Sequence, residues 1–251
     1  MFEAFYKQDT VSRLIPEELA AALGLPFPIR FSEDSEKIRL SRFDNGHQGL
    51  RIELWPSPCC KDPGFVLELV FSHLGQVEMA WIVINDLTGE RFAVDSSGRL
   101  PLAPNSGARN VREEARALKA GLSPNQVLRG LHLLGPCLAA VENFASAVGS
   151  NLLTVYAMAY HNALEYEHKG FNYRDGRELM EELDAGFAKG GRLQEQLDDS
   201  SVFRQRVFAE SARGRSWAIH DGLEGVNWFA PQMFKIVGIE SKVDTAPGIV
   251  W

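Results

Sequence analysis

The chain has 251 residues, of which 45% are apolar and 24% charged, with 12 prolines and 22 glycines. This ordinary globular composition excludes a collagen-like, low-complexity or wholly disordered chain. The formal net charge of −7 argues against a protein held to nucleic acid by neutralising phosphates.

Cysteine content and the N-terminus bear on the compartment. Cys59, Cys60 and Cys137 show no repeated Cys-x-x-Cys spacing, which favours a reducing compartment over a disulfide framework. The first thirty residues lack the charged start and apolar block of a secretory signal. Apolar stretches around 65–71 and 79–84 are far shorter than the roughly 20 residues that cross a bilayer. We therefore expect a cytoplasmic protein with no membrane span and no nucleic-acid partner.

The first third of the chain predicts one short helix and then a sheet. A helix from Pro16 ends at Gly24, because proline suits the first turn of a helix and glycine its end. From about Ile38 to Asp95 the apolar residues alternate with a period of two, which predicts an antiparallel sheet of neighbouring strands. The predicted strands are 38–43, 50–54, 65–73, 77–87 and 91–94, with a hairpin turn at 74–76.

The middle of the chain predicts a loop and two helices. Residues 96–107 are rich in Ser, Gly, Pro and Asn and predict the loop. Asn110 and Glu113 resemble a capping box, and Gly121 closes the helix that they open. A longer helix over 124–148 follows Ser123, and Pro136 inside it predicts a bend.

The remaining elements alternate between strand and helix. We predict a strand at 152–156, a helix at 162–168 that ends at Gly170, and a strand at 171–174. Residues 176–213 indicate two or three helices split by Gly190 and Gly191, and the tail from Ser216 is strand-like in places. The pattern predicts an α+β fold with a mixed, mostly antiparallel central sheet flanked by helices. In domain terms, an N-terminal helical extension (1–35) precedes a core (36–175), and 176–251 complete the same domain.

One six-residue turn carries a family resemblance. Tyr166-Glu167-His168-Lys169-Gly170-Phe171 follows a helix that opens near Asn162-Ala163 and a strand at 152–156. This arrangement resembles the end of the core of the GNAT superfamily, the acyl-CoA-dependent N-acyltransferases, over about half of the chain. The resemblance implies direct transfer of an acyl group, with acetyl expected first, from coenzyme A to an amine of a small-molecule acceptor. A homodimer stays open.

The resemblance also implies roles for named residues. Tyr166 would be the general acid that protonates the leaving thiolate, and Asn162 would hold the pantetheine arm. These two residues are four apart, so a helix places both on one face. Acyl-CoA would enter where the backbone around Gly170 separates a pair of neighbouring strands.

A second set of residues would hold the phosphates of coenzyme A. The predicted helix start, with Gln126, Arg129 and Gly130, would present backbone N–H groups to the pyrophosphate. The family's phosphate motif is not restored in either register, because His132 occupies a position that belongs to a small residue. This departure favours an alternative hypothesis, a catalytically inactive ligand-binding or protein-interaction module of the same fold.

Three histidines suggest further chemistry. His220 is a candidate general base for the incoming amine, because histidine titrates in the right range. His161, Glu165 and His168 have the i, i+4, i+7 spacing of metal ligands, which would suit a metal-dependent hydrolase. That triplet lacks the His-Glu-x-x-His pattern, so we interpret it as a solvated polar face and expect no metal.

A hydrolase triad is the last candidate. Ser216, His220 and Asp221 have the residue types of a triad, but no Gly-x-Ser-x-Gly elbow surrounds the serine. We interpret this segment as the end of a strand, with Asp221 and Gly222 in the turn that follows it.

Overall fold

The computed structural model describes residues 8–32, 35–44, 48–72, 75–95 and 109–251. The predicted loop 96–107 and Leu74 of the predicted hairpin turn lie outside these described residues. The chain forms two compact units. The first comprises Met1–Gly89, Gly130–Val155 and Phe234–Glu240, and the second comprises Glu90–Arg129, Tyr156–Met233 and Ser241–Trp251.

Strands predicted from the period-two pattern are confirmed as four consecutive antiparallel neighbours. They are β1 (Ile38–Asp44), β2 (Gln48–Leu54), β3 (Phe65–Phe71) and β4 (Val77–Ile84). Three further strands are β5 (Leu152–Tyr156), β6 (Asn172–Tyr173) and β7 (Gln232–Ile236). All seven form one sheet in the order β1-β2-β3-β4-β5-β7-β6, so the predicted α+β class with a mostly antiparallel sheet is confirmed.

Buried apolar residues alternate with more exposed polar residues along the strands, and the apolar ones form the interior of the first unit. Leu50, Ile52 and Leu54 of β2 are fully buried, and Leu67 and Leu69 of β3 lie beside them. Polar residues occupy intervening positions, where Arg51 donates to Glu53 at 2.8 Å and to Glu68 at 3.0 Å. Hydrophobic burial therefore fixes the register of these strands, because a slip of one residue would exchange the two sets.

Helices flank the sheet and fill most of the second unit. The first three are α1 (Gln8–Ser12), α2 (Glu17–Ala22) and α3 (Val111–Lys119). They are followed by α4 (Leu134–Ala147), α5 (Tyr160–His168), α6 (Arg177–Phe187) and α7 (Arg192–Glu195). A 3₁₀ helix (Arg206–Glu210) and α8 (Ala212–His220) follow. The predicted helices at α2, α3 and α5, and the break at Gly190 and Gly191, are confirmed.

The predicted helix over 124–148 is wrong in its first half. Helix α4 begins at Leu134, and Asn125 and His132 adopt left-handed backbone angles (φ 68° and 57°) that stop a helix from forming before it. Pro136 consequently lies in the first turn of α4. A proline there causes no bend, because the N–H that it lacks would have had no partner within the helix.

Two further predictions about secondary structure are wrong. The segment 91–94 is not a strand, although the Phe92 N–H donates to the Val127 carbonyl at 2.8 Å. Ser216 lies in α8 rather than at the end of a strand, and this helix opens with the Ser211 side chain accepting from the Gly214 N–H. The strand-like character of the tail is confirmed only at β7.

The second unit contains a small cluster of buried apolar residues: Phe92, Ala117, Leu122, Phe203 and Trp217. Trp217 of α8 is fully buried, and its ring stacks on Phe203 with 5.3 Å between the ring centroids. The indole N–H donates to the Leu122 carbonyl at 2.8 Å, which satisfies the one polar atom of the side chain. Among the helices of the described ranges, none is both long enough and apolar enough to span a bilayer.

Candidate functional site

Strand β4 is paired from end to end on one side, except at one residue, and only over a short stretch on the other. Its partner β3 follows it from Val77 to Ile84. On the opposite side β5 runs parallel and pairs only Val77–Met79 with Leu153–Val155. Past Met79, the next pairing on that side within the described residues is the isolated bridge between Asn85 and Gly130. We call Ala80–Ile84 the open edge of β4.

A β-bulge lies where the open edge begins. The register passes from Met79 opposite Leu69 to Trp81 opposite Glu68, so Ala80 has no residue opposite it in β3. A bulge bends its strand and re-aims the backbone groups beside it. At this point, therefore, an unpaired strand edge and a local change of strand direction coincide, as happens beside many ligand-binding sites.

Side chains of the open edge are apolar and only partly covered. Val77 and Met79 are buried, whereas the four residues that follow Ala80 are all half-buried. These four are Trp81, Ile82, Val83 and Ile84. The open edge thus combines backbone groups that have no strand partner on this side among the described residues with apolar side chains, which suits an extended ligand that carries amide groups.

Tyr166 and Asn162 both lie on α5, as predicted. The Tyr166 side chain is buried against Phe171, with 5.3 Å between the ring centroids. Burial raises the pKa of Tyr166, with the charge of Glu165 adding to the effect, so the phenol stays protonated at neutral pH. Asn162 is half-buried, and its side chain forms no hydrogen bond to any residue of the described ranges.

Gln126, Arg129 and Gly130 do not lie at a helix N-terminus, because α4 begins at Leu134. The Gln126 side chain accepts from the Ser123 N–H at 2.7 Å, and the Arg129 guanidinium donates to the Ala120 carbonyl. Gly130 bridges Asn85 in the first unit. The predicted helical phosphate cradle is therefore wrong, while a cofactor-binding role for these three residues stays a prediction.

His220 lies in a buried network of charged side chains. Its Nε2 is 3.2 Å from Glu114 Oε1, and Arg109 donates to the other oxygen of Glu114. Asp221 accepts from both Arg109 and Arg204. Burial alone would raise the pKa of Glu114, but the hydrogen bonds from His220 and Arg109 outweigh it and lower that pKa. The side chain of His220 is only 8% exposed, so its predicted role as general base requires the network to open.

A buried histidine–serine pair was missed from the sequence. His161 Nδ1 lies 2.8 Å from Ser216 Oγ, and both residues are buried. Burial, together with the charge of Arg213, lowers the pKa of His161 to about 3, so its imidazole is neutral at physiological pH. The interpretation of His161, Glu165 and His168 as a solvated face is therefore wrong for His161. Two polar residues, His161 and Asn162, stand between Tyr160 and Ala163, and the sequence carries no signal that tells the buried one from the half-buried one.

The structure separates the other candidate sets. Ser216 pairs with His161 rather than with His220, so the triad residues do not form a triad. His168 is exposed, and its ring packs against Trp251. Over the ranges that the structure describes, no three His, Cys, Asp or Glu side chains are grouped so as to hold a metal ion.

Glu167 of the six-residue turn is the centre of a second missed cluster. Its Oε1 accepts from the Tyr173 hydroxyl at 2.5 Å and from the Thr245 hydroxyl at 2.6 Å, and its Oε2 accepts from the Thr245 N–H at 3.0 Å. Burial raises the pKa of Glu167 against these hydrogen bonds. Gly170, with φ of 82°, ends α5, and its carbonyl accepts from the Ser241 N–H. Gly170 thus holds the C-terminal segment through this bond. The separation of strands around Gly170 stays a prediction, and the pairing that ends in the structure is that of β4 with β5 after Met79.

No protein-family model, curated protein or solved structure matches this chain.

Proposed function

We propose that this protein is a GNAT-like acyltransferase that moves an acyl group, acetyl first, from coenzyme A directly to an amine. The observation that carries the proposal is the open edge of β4, which begins at the bulge and at the end of the pairing with β5. The acyl-thioester arm of coenzyme A is an extended chain with amide groups. It would take the place of the missing strand residues beside Ala80–Ile84, with its amides on the backbone and its methylene groups on the apolar side chains.

Acyl transfer needs a hydrogen-bond donor for the thioester carbonyl oxygen and an acid for the departing sulfur. The neutral amine nitrogen attacks the thioester carbon, and the carbonyl oxygen carries negative charge in the intermediate. The C–S bond then breaks, the nitrogen loses a proton to solvent, and the sulfur leaves as a thiolate that takes a proton from an acid. A backbone N–H beside the bulge at Ala80 is the donor we propose for that oxygen. Tyr166 is the proposed acid for the departing thiolate, and its raised pKa keeps the proton in place until then. Asn162, with an uncommitted side-chain amide, is the proposed contact of the pantetheine arm.

One observation favours the alternative, an inactive ligand-binding or protein-interaction module. Residues 123–133 form no helix, so the N–H groups expected to meet the pyrophosphate are not gathered there. Such a module would keep the sheet and the open edge without binding coenzyme A.

Calorimetric titration with acetyl-CoA separates the two proposals. We expect one site with a dissociation constant of about 1 to 100 μM for the acyltransferase. Ala80→Pro removes one backbone N–H at the bulge and should weaken binding by about tenfold or more, whereas Ala80→Gly keeps that N–H and should bind as the wild type does. Absence of binding at millimolar acetyl-CoA by the folded protein would leave the module as the better proposal.

Tyr166→Phe then tests the acid. Release of free coenzyme A in the presence of a panel of amines gives the turnover rate. We expect the variant to lower kcat by about 10²-fold or more with little change in the affinity for acetyl-CoA, because the phenol proton is needed only when the thiolate leaves. Unchanged kcat would remove Tyr166 from the mechanism.

A further inference from the structure

The second unit contains an open cavity of about 650 Å³ at its surface. Its walls come from the end of α6, from the 3₁₀ helix and from the C-terminal segment 247–250. That segment is fixed by two backbone hydrogen bonds, from the Ala212 N–H to the Val250 carbonyl at 2.8 Å and from the Val250 N–H to the Glu210 carbonyl at 3.2 Å. The cavity therefore has a formed wall on each of these sides.

Arg215 lines this cavity, and only some of the N–H donors of its guanidinium have an acceptor among the described residues. Its side chain is 9% exposed. Nε donates to the Ala209 carbonyl at 2.7 Å, and Nη1 donates to Asp184 at 2.6 Å and to the Tyr160 hydroxyl at 3.1 Å. A guanidinium has five N–H donors, so these three bonds leave the two on Nη2. Among the described residues nothing accepts from Nη2. The Arg215 side chain is mostly buried while its uncommitted Nη2 stays accessible, so two charged donors at the cavity wall suit an acceptor group of a ligand.

Charges around the cavity favour a single negative charge on the ligand. The Asp184 carboxylate already balances part of the charge of Arg215. Lys189 adds a positive charge to the lining, whereas Glu210 adds a negative one that would repel a dianion. A carboxylate suits this balance better than a phosphate dianion does, and it accepts charge-assisted hydrogen bonds from arginine.

Apolar groups complete the lining and indicate the rest of the ligand. The Phe187 ring lies 5.2 Å from the Arg215 guanidinium carbon and covers one face of it. Ala188, Pro247 and Ile249 add aliphatic surface to the cavity. A ligand with an apolar body and one charged end would bury surface here while its charge meets Arg215.

We propose that this cavity binds a small organic monocarboxylate, with the carboxylate on Nη2 of Arg215 and an apolar body against Phe187 and the 247–250 segment. The lining of this site shares no residue with Ala80–Ile84, Asn162 or Tyr166, so the proposal does not rest on the proposed acyl transfer. Its failure and the failure of acetyl-CoA binding are separate results.

The probe pair is 3-phenylpropanoate and its neutral amide, 3-phenylpropanamide, each titrated calorimetrically into the full-length protein. We expect one site, with the carboxylate bound at least about tenfold more tightly than the amide, because only the carboxylate gains the charge-assisted bond. Equal affinities, or no saturation by either probe below about 10 mM, would overturn the proposal. Inorganic phosphate is the third probe, and tighter binding of phosphate than of 3-phenylpropanoate would overturn the assignment of a carboxylate.

Two variants locate the binding without disturbing the buried ion pair. Ala188→Trp places a large side chain at an exposed position of the cavity lining and should abolish binding of 3-phenylpropanoate. Lys189→Gln removes one lining charge and should weaken binding a few-fold, whereas Lys119→Gln, an exposed lysine outside the lining, should leave it unchanged. Wild-type affinity in the folded Ala188→Trp variant would place the ligand elsewhere and overturn the proposal.

Discussion

Among the described residues, buried charged side chains are more frequent in the second unit than in the first, where Lys235 paired with Glu142 is an example. In the first unit β2 and β3 bury aliphatic side chains, and the ion pairs of Arg51 with Glu53 and Glu68 are partly open to solvent. In the second unit the buried side chains include Glu114, Glu167 and Arg215, each with several hydrogen-bond partners.

This difference determines which substitutions each unit tolerates. A partly solvated ion pair contributes little to stability, while a loss of volume among close-packed aliphatic side chains is costly. A buried carboxylate behaves in the opposite way, since removing it leaves its former donors without partners. The first unit should therefore be sensitive to side-chain volume and the second to the loss of single polar groups.

The largest expected effect comes from the same substitution made once in each unit. Glu167→Leu leaves the Tyr173 hydroxyl and two Thr245 donors without their acceptor and should lower the free energy of unfolding by about 4 kcal/mol. Glu68→Leu breaks the partly exposed pair with Arg51 and should lower it by less than about 1 kcal/mol. Urea denaturation followed by circular dichroism measures both. Equal losses would contradict the contrast between the units.

A volume change in the first unit should come next. Leu67 is fully buried in the middle of β3, so Leu67→Ala should lower the free energy of unfolding by about 3 kcal/mol through lost burial and the cavity left behind. Val207→Ala, at a position 62% exposed, is the control and should cost less than about 0.5 kcal/mol. A Leu67→Ala loss as small as that of the control would show that this sheet is not the close-packed region of the molecule.

The sequence predicts the strands of the first unit better than it predicts the segment that precedes α4. Strands β1 to β4 were predictable because their period of two and their hairpin connections are local properties of the chain. The residues before α4 were misread because Ser123-Pro124 has the composition of a helix start, whereas a left-handed backbone at residues other than glycine, as at Asn125 and His132, is uncommon and is not predicted by composition.

The candidate site was only partly predictable as well. Tyr166 and Asn162 are neighbours on one predicted helix, so their relation was visible in the sequence. The open edge of β4 depends on where β5, far along the chain, stops pairing with it. Likewise Ser216 was interpreted as a triad candidate or as part of a strand end, because its partner His161 is 55 positions away in the sequence.

Acidification should reveal the buried histidine of the second unit. The pKa of His161 is about 3 in the folded chain and 6.5 ordinarily, so the unfolded chain takes up the proton first as the pH falls. The contribution of His161 to the free energy of unfolding is therefore fully present above about pH 6.5 and is lost as the pH falls toward 3. Between pH 7 and pH 5 the wild type should lose about 2 kcal/mol through this group.

The comparison variant for that experiment is His161→Gln, which keeps a polar group near Ser216 and does not titrate. Urea denaturation of both proteins at pH 7 and pH 5 gives a double difference in which the other titrating groups, Glu167 among them, cancel. Parallel losses in the two proteins would mean that His161 takes up a proton in the folded state near its ordinary pKa.

The smallest expected effect concerns Asn110 of the second unit, whose side chain bonds to one residue nearby in the sequence and to one farther away. The Asn110 side chain accepts from the Glu113 N–H at the start of α3 and donates to the Ala93 carbonyl at 2.9 Å. Asn110→Ala loses both bonds and should lower the free energy of unfolding by about 1 kcal/mol. Asn110→Asp keeps the acceptor and lacks the donor, so it isolates the contact with Ala93. If Asn110→Asp is as stable as the wild type, the local cap alone accounts for the effect; a loss equal to that of Asn110→Ala would assign the stability to the distant contact, which the sequence did not reveal.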